Sequence, residues 1–238
     1  MKYVALSGGL DSTAMAILLH ERDEEYELLF SDTGAELPET LWMVPRVARR
    51  LGKKLNVVAN HSFFYYLSDY GFLLPSPMVR WCTRQLKQVP QDSFMARLGA
   101  EELCVGIRAD EARRAVDRAP KRGSHHFTYP LVAAGIDRAA AKTLCLKYDL
   151  LSPVYSWRSN TSCFCCMFQR VADWRGLWKH HPDLFMLAEA WEEESIASQN
   201  SGFTWRRGRT LKALREATEA QLTLWPEPED EPCSICVA

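Results

Sequence analysis

Short apolar runs alternate with segments of helical periodicity over the first quarter of the chain. Residues 3–6, 28–30 and 55–58 have the length and composition of buried strands. Between them, apolar side chains recur at helical spacing within 14–18 and within 41–47. Repeated strand–helix units of this kind predict a parallel sheet flanked by helices.

The pattern changes further along the chain. Residues 103–107 predict a fourth strand, and the charged run 108–122, which has no apolar period, predicts a mobile loop. Residues 139–148 and 171–196 are predicted to be helical. The second of these is interrupted at His181-Pro182, because proline disfavours helical geometry in the residue before it.

These changes in the apolar pattern predict that the chain has three parts. Residues 1–160 form an α/β domain, 161–225 a helical subdomain that carries a cysteine cluster, and 226–238 an extended, acidic and proline-rich tail with Cys233 and Cys236. A chain of 238 residues with 47% hydrophobic content can bury the core that such a domain needs.

Charge and cysteine content narrow the classes of function. A net charge of -1 gives no global field for nucleic acid or anionic membrane, so a polyanionic partner requires a local basic patch. No apolar run approaches the ~20 residues that span a bilayer, and the apolar start is too short for a signal peptide. We therefore expect a cytoplasmic protein, in which eight cysteines favour metal ligands or reactive thiols over disulfides.

A glycine turn, Ser7-Gly8-Gly9, separates the first predicted strand from the first predicted helix. Glycines let backbone N–H groups approach an anion, and the helix directs its positive end toward the same point. Ser7 and Ser12 add hydroxyl donors, while Asp11 can cap the helix or hold magnesium on a nucleotide. The spacing differs from both the P-loop and the dinucleotide fingerprint, which indicates a shorter phosphate cradle.

A second candidate nucleotide contact is Asp32, at the end of the second predicted strand. It lies roughly 20 residues beyond the glycines, where dinucleotide-binding folds place an acid on the ribose. We therefore assign Asp32 to nucleotide contact.

The segment 7–12, Ser-Gly-Gly-Leu-Asp-Ser, resembles the Ser-Gly-Gly-x-Asp-Ser signature of the PP-loop ATP pyrophosphatases, also called adenine nucleotide alpha hydrolases. Three further segments resemble the phosphoadenosine phosphosulfate (PAPS) reductase family in the same order. They are Ser-Asp-Thr-Gly-x-Glu-x-Pro-Glu-Thr at 31–40, Gly-Ile-Arg-x-Asp at 106–110 and Tyr-Pro-Leu at 129–131. The resemblance covers about 2–170.

The resemblance implies an enzyme with a doubly wound parallel sheet that uses ATP or PAPS. It places Thr33 and Gly106 in the nucleotide site and gives Arg108 a contact with nucleotide phosphate or sulfate. A guanidinium suits this role because two parallel hydrogen bonds fit the geometry of phosphate oxygens. Asp11 and Arg108 are accordingly our candidate catalytic residues in this part of the chain.

Cys163 and Cys166 form a C-x-x-C pair, whose thiolates can converge on one metal ion or cluster. In the iron–sulfur branch of the resembled family, two cysteines precede the Gly-x-Arg motif and a C-x-x-C follows the Pro-Leu motif. Cys82, Cys163 and Cys166 match three of those four ligands. The resemblance therefore implies an iron–sulfur cluster, of the [4Fe-4S] type.

The fourth ligand is open, because Trp81 stands where the family pattern has a cysteine. Cys165 is our preferred candidate, with Cys233 and Cys236 as alternatives. Zinc is the alternative to iron–sulfur, since four thiolates bind either and the spacing does not select between them.

The reductases of the resembled family carry a catalytic cysteine in a Glu-Cys-Gly-Leu-His segment, which this sequence lacks. Cys236 on the acidic tail is our candidate for an analogous nucleophile, since an exposed thiol near cations can be poised as thiolate. The alternatives for Cys233 and Cys236 are metal chelation and no role. Cys104 and Cys145 lie on apolar faces and are predicted to be buried thiols.

The stretch 205–215 mixes Trp205 with several arginines and a lysine, as nucleic-acid contacts often do. A solvated basic loop and helix explains the same composition equally well.

Our leading hypothesis is an enzyme of adenine-nucleotide-dependent sulfur chemistry, with a thiolate-held metal centre and a thiol reductant or sulfur donor as partner. The first alternative is an ATP pyrophosphatase and sulfurtransferase that modifies tRNA or DNA, by thiolation or phosphorothioation. The second is a non-catalytic nucleotide-binding regulatory or defence-related module. The oligomeric state is left open.

Overall fold

The computed structural model of the chain describes residues 1–116, 121–122, 125–199 and 203–221. Its strands are β1 (Lys2–Ala5), β2 (Tyr26–Ser31), β3 (Leu55–Val58), β4 (Glu102–Cys104), β5 (Lys121–Arg122) and β6 (His125–Thr128). Its α-helices are α1 (Leu10–Glu21), α2 (Pro38–Leu51), α3 (Phe63–Asp69), α4 (Trp81–Thr83), α5 (Val89–Arg97), α6 (Arg113–Val116), α7 (Pro130–Ala133), α8 (Arg138–Lys147), α9 (Val171–His180), α10 (Pro182–Gln199) and α11 (Leu211–Gln221). Shorter turns are a π-helix at Arg84–Gln88 and 3-10 helices at Ala109–Glu111 and Pro153–Ser156.

Within the described residues the strands form one sheet in the order β3-β2-β1-β4-β6-β5. All neighbouring strands are parallel except β5, which runs antiparallel to β6. Val4 lies opposite both Leu28 of β2 and Cys104 of β4. This register brings the carboxyl ends of β1, β2 and β4 to one edge of the sheet, and the predicted α/β fold is confirmed.

Both faces of the sheet are covered, as a doubly wound fold requires. Val4, Leu28 and Phe30 pack in one buried cluster with side chains of α1, α2 and α8. Tyr3 and Leu29, the alternate residues of the same strands, pack on the other face in a cluster that includes side chains of α5. Successive side chains of a strand point to opposite faces, so both clusters draw on the same strands.

The apolar pattern does not predict β6. Its first residue, His125, is fully buried, and its ring packs edge-on against Phe127 with centroids 5.4 Å apart. Thr128 at its end donates a 2.9 Å hydrogen bond to the Glu102 carboxylate. Polar residues that find tertiary partners can therefore form a strand without the usual apolar signal.

The charged run 108–122 was expected to form a loop without regular structure. Its described residues instead include the turn Ala109–Glu111, helix α6 and strand β5. Ion pairs between Arg108 and the acidic residues of that turn stabilise this region. Apolar periodicity carries no information about ion pairs, so the pattern did not predict these elements.

The described residues divide into two compact units. The first contains Met1–Tyr66, the described part of Arg80–Ser156, and Asn160–Cys163. The second contains Leu67–Val79, Trp157–Ser159 and the described residues from Phe164 onward. The division at residue 160 stays a prediction, and the whole predicted tail, 226–238, lies outside the described residues.

Three helices dominate the second unit. The predicted interruption is confirmed, since α9 ends at His180 and α10 begins at Pro182. Trp174 of α9 packs edge-on against Phe185 of α10 at 6.1 Å. Trp205 is buried and donates its indole N–H to the carbonyl of Ala188 in α10. No helix in the described part of the chain is long and apolar enough to cross a membrane.

A buried carboxylate joins α10 to the segment that leads into α11. Glu192 is 1% exposed, and its two oxygens accept the backbone N–H groups of Trp205, at 2.8 Å, and Leu211, at 2.5 Å. Burial raises the pKa of Glu192 to about 7, against the effect of these two hydrogen bonds. The native state therefore holds a proton on this group more tightly than an unfolded chain does.

The stability of the second unit should depend on the titration of Glu192. Since the native pKa lies above the ordinary value of 4.5, the contribution is fully present below that value and is lost as the pH rises through about 7. We expect wild type to lose on the order of 3 kcal/mol of unfolding free energy across this window relative to Glu192→Gln. Urea unfolding followed by tryptophan fluorescence at several pH values measures this difference, and parallel curves for the two proteins would contradict it.

Candidate nucleotide site

The glycine turn predicted to hold phosphate lies between β1 and α1. Gly8 has φ +71, a backbone conformation that glycine adopts without strain. The hydroxyls of Ser7 and Ser12 lie 3.0 Å apart, and the Ser12 hydroxyl also accepts the Ser7 N–H and donates to the Gly9 carbonyl. These bonds close the turn on itself at the amino end of α1.

The turn lies where the strand order reverses. β2 and β3 follow β1 on one side of it, and β4 and β6 lie on the other. Gly106 follows β4, and a Cβ at this position would lie 2.9 Å from the Ser12 nitrogen, so only glycine allows the two loops to approach this closely. In open α/β sheets, ligands bind in the crevice at such a reversal, beyond the carboxyl ends of the strands.

Arg108 lies beside the turn among three carboxylates. Its Nη1 donates to both oxygens of Asp11, at 2.8 and 2.7 Å, and its Nε and Nη2 donate to the oxygens of Asp110, at 2.9 and 3.1 Å. Glu111 lies 3.3 Å from Nη2. The structure thus brings Asp11 and Arg108 together as an ion pair, and the predicted contact of Arg108 with nucleotide phosphate stays a prediction.

The contacts within this ion cluster shift the pKa values of Arg108 and Asp110. Burial lowers the pKa of Arg108, but hydrogen bonds to Asp110 and Asp11 outweigh this effect and raise the pKa above its ordinary value. The Arg108 guanidinium in turn lowers the pKa of Asp110. Arg108 and Asp110 are therefore charged at neutral pH.

Asp32 and Thr33 follow β2 at the same edge of the sheet. One oxygen of Asp32 accepts the Gly34 N–H at 2.9 Å. Thr33 is fully buried, and its hydroxyl donates to Glu36 at 2.7 Å and lies 3.4 Å from the Cys163 sulfur. The predicted nucleotide contacts of both residues stay predictions, although their position at this edge agrees with them.

Two hydroxyl residues beside the turn were missed by the sequence analysis. The Tyr155 hydroxyl accepts the N–H of Leu10, the first residue of α1, at 2.8 Å. The Thr161 hydroxyl is placed so close to Gly9 that a Cβ there would lie 2.4 Å from it. No local pattern marks either residue, because their partners lie about 150 positions away in the sequence.

The cysteines divide between the two units. Cys82 and Cys163 belong to the first unit, and Cys165 and Cys166 to the second. Among the described residues, no three His, Cys, Asp or Glu side chains come together in a way that could hold a metal ion. The predicted ligand set stays a prediction, and no reaction step is derived from it.

Of the four remaining cysteines, the structure describes Cys104 and Cys145. Cys104 and Cys145 are fully buried, as predicted, and burial raises the pKa of each thiol to about 12. Both are therefore neutral core residues at ordinary pH. Cys233 and Cys236 lie outside the described residues.

Comparison with known proteins identifies the family. The sequence profile of the phosphoadenosine phosphosulfate reductase domain matches residues 2–125, which is more than half of the 238 residues. This chain belongs to the PAPS reductase domain family. The matched region includes the glycine turn, Asp32 and Arg108, so the candidate nucleotide site lies within the family domain.

A curated relative matches part of the family domain. An uncharacterised protein of Methanocaldococcus jannaschii, MJ0066, is 34% identical over 129 residues, which are 53% of this chain and 26% of that protein. The chain therefore spans about a quarter of the length of this relative.

Two solved structures show more distant similarity. PAPS reductase from Candida auris, in a phosphate complex, is 16% identical with a TM-score of 0.48, and the likeness covers 65% of this chain and 75% of that one. The U34-tRNA thiolase NcsA of Methanococcus maripaludis, with its [4Fe-4S] cluster, is 14% identical with a TM-score of 0.46, covering 96% and 83%. Likenesses at this level do not establish a shared activity.

In the basic stretch 205–215 of this family member, the aromatic residue is buried. Trp205 is 4% exposed, so its ring cannot stack on a base. Arg215 donates two 2.9 Å hydrogen bonds to Glu189, and this carboxylate offsets the positive charge of Arg215. These contacts agree with an ordinary basic loop and helix, and a contact of the exposed cations with nucleic acid stays a prediction.

Removal of the Arg108 cation should destabilise the first unit. Arg108→Met leaves three carboxylates close together, and we expect a loss of about 2–4 kcal/mol of unfolding free energy. Arg114→Met is the matched control, because Arg114 is 57% exposed and pairs with the same Glu111. Its loss should stay below about 0.5 kcal/mol. Denaturant unfolding at pH 7 measures both, and equal losses in the two variants would contradict the buried role of Arg108.

Proposed function

We propose that this chain binds ATP or PAPS in the turn 7–12 and acts in adenine-nucleotide-dependent sulfur chemistry. The observation that carries the proposal is the meeting of three family segments at one edge of the sheet. The glycine turn follows β1, Asp32 follows β2 and Arg108 follows β4, and these strands are neighbours at the reversal of strand order. A phosphate at the amino end of α1 would receive backbone N–H groups and the positive end of the helix.

The charges around the turn support a requirement for a divalent cation. Asp11, Asp110 and Glu111 lie around Arg108, and Arg114 also pairs with Glu111. The carboxylates in this cluster outnumber the guanidinium groups that pair with them, so the cluster disfavours an approaching phosphate. Carboxylate oxygens and phosphate oxygens are the ligands that Mg²⁺ prefers. In this proposal, Asp11 faces the phosphates through the cation, and Arg108 keeps the Asp11 carboxylate in place.

Two reaction types fit such a site. In a reductase, the site binds PAPS while a thiol donor reduces the sulfuryl group to sulfite. In a sulfurtransferase, ATP activates an acceptor oxygen with release of pyrophosphate before sulfur replaces it. The residues of this chain would bind and orient the nucleotide in the same way in both cases, so the product distinguishes them.

A thiolate-held metal centre is part of the proposal on the basis of the C-x-x-C spacing of Cys163 and Cys166 together with Cys82 and Cys165. An iron–sulfur cluster of this kind would supply electrons or hold sulfur, whereas a zinc ion bound by four thiolates would hold the ligand segments together without redox chemistry.

Nucleotide binding should depend on magnesium. We expect calorimetry to give an ATP dissociation constant at least tenfold higher in EDTA than in Mg²⁺, because the excess carboxylates then repel the phosphates. Asp11→Asn should reduce this ratio. Asp149→Asn is the control, since Asp149 is 88% exposed and pairs with Arg46 on the surface. Absence of binding of both ATP and PAPS to metal-replete wild type would disprove the proposal.

The same samples distinguish the reactions. Sulfite released from PAPS with a thiol donor identifies a reductase. Pyrophosphate released from ATP only when RNA or DNA is added identifies a nucleic-acid sulfurtransferase. Tight nucleotide binding without any product identifies the regulatory or defence-related module and contradicts the proposed catalytic role.

The metal centre is tested by elemental analysis of anaerobically purified protein. A [4Fe-4S] cluster gives about four irons and four sulfides per chain, and a structural zinc site about one zinc. Cys163→Ser and Cys166→Ser should lose this metal, whereas Cys145→Ala, a core cysteine outside the ligand set, should keep it. Wild-type protein with neither metal would show that the ligand prediction is wrong.

A further inference from the structure

The amino end of α1 has a side-chain partner from a distant part of the same unit. The first four N–H groups of a helix have no intrahelical acceptor. The N–H of Leu10, the first residue of α1, donates to the Tyr155 hydroxyl at 2.8 Å. Gly9, the N-cap residue, has no side chain that could supply this acceptor. Tyr155, 145 positions away in the sequence, therefore takes the place of an N-cap side chain.

Thr161 completes this arrangement. Its side chain acts on the Tyr155 hydroxyl and lowers the pKa of Tyr155, against the larger effect of burial. It also lies against the backbone of Gly9, since a Cβ built on Gly9 would be 2.4 Å from the Thr161 oxygen and 3.4 Å from the Ser7 oxygen. The two hydroxyls thus contact the last residue of the glycine turn, Gly9, and the first residue of α1, Leu10.

We propose that Tyr155 and Thr161 are positioning residues of the nucleotide site, which hold the glycine turn and the first turn of α1 in the shape that receives phosphate. The idea that the turn receives phosphate rests on the proposed function. The hydroxyl pair itself is a property of the unliganded protein.

The chemistry of the pair suits this role. Burial raises the pKa of the Tyr155 hydroxyl, so it stays neutral and offers an oxygen lone pair to an N–H group without adding a negative charge beside phosphate. An aspartate or glutamate at this place would satisfy Leu10 equally well but would repel the ligand. A neutral acceptor on a rigid ring fixes the amide without that penalty.

The pair also limits the freedom of the turn. Gly8 and Gly9 have no side chains of their own to restrict their backbone dihedrals. Thr161 on one side and the hydrogen bond from Leu10 on the other supply that restriction. A preordered cradle loses less conformational entropy when it binds its ligand, which increases affinity.

The experiment compares two hydroxyl deletions on the same helix. Tyr155→Phe removes the acceptor of the Leu10 N–H. Tyr26→Phe is the matched control, because the Tyr26 hydroxyl is also buried and donates to the Ala16 carbonyl of α1 at 2.7 Å, away from the glycine turn. Both variants lose one hydrogen bond to α1, so both should lose similar stability.

The first measurement needs no ligand. Amide hydrogen exchange at Leu10, followed by NMR in the full-length chain, should become about three- to tenfold faster in Tyr155→Phe than in wild type and Tyr26→Phe at matched temperatures below unfolding. Unchanged exchange at Leu10 in Tyr155→Phe would overturn the proposal, whether or not the protein binds a nucleotide.

The second measurement uses Mg-ATP and PAPS as probes in calorimetry. Tyr155→Phe and Thr161→Val should each raise the dissociation constant about three- to tenfold, while Thr161→Ser, which keeps the hydroxyl, and Tyr26→Phe should stay within about twofold of wild type. Equal affinity in Thr161→Val and Thr161→Ser would overturn the role of the Thr161 hydroxyl. Wild type that binds neither probe, with faster Leu10 exchange in Tyr155→Phe, would contradict the proposed function and leave the ordering of the turn by Tyr155 intact.

Discussion

The ion pair between Arg108 and Asp11 is the interaction on which the candidate site depends. It joins residues 97 positions apart and ties the end of β4 to the first turn of α1. The pair forms because β1 and β4 are neighbours in the sheet and because Gly106 lets their loops approach closely. Two further carboxylates pair with the same guanidinium. Loss of this cation would therefore leave three acidic side chains close together.

This arrangement gives the site a particular electrostatic character. Glycine backbones and the helix end favour an anion, whereas the acidic residues around Arg108 disfavour one. The two tendencies are compatible when a cation accompanies the phosphate. The neutral hydroxyls of Tyr155 and Thr161 are compatible with this balance of charge, because they order the turn without adding to the negative charge.

The second unit follows a different principle. Its core contains aromatic side chains of α9 and α10 together with Trp205, and two of its buried carboxylates are paired with backbone N–H groups or with an arginine. Glu192 accepts two backbone N–H groups, and Glu189 accepts two bonds from Arg215. Such pairing allows carboxylates to be buried.

Local patterns in the sequence determined the strands β1 to β4, the main helices, the break before Pro182 and the glycine turn, because periodicity and turn chemistry act over a few residues. The family segments named Asp11, Asp32 and Arg108, which the structure places at one edge of the sheet. Their contacts with a nucleotide stay predictions. Tertiary structure alone decided that Arg108 binds Asp11, that Thr33 contacts Cys163 and that Tyr155 caps α1. These partners lie 97 to 145 positions apart. Which polar groups meet over such distances depends on strand order and loop approach, and no short-range pattern encodes either.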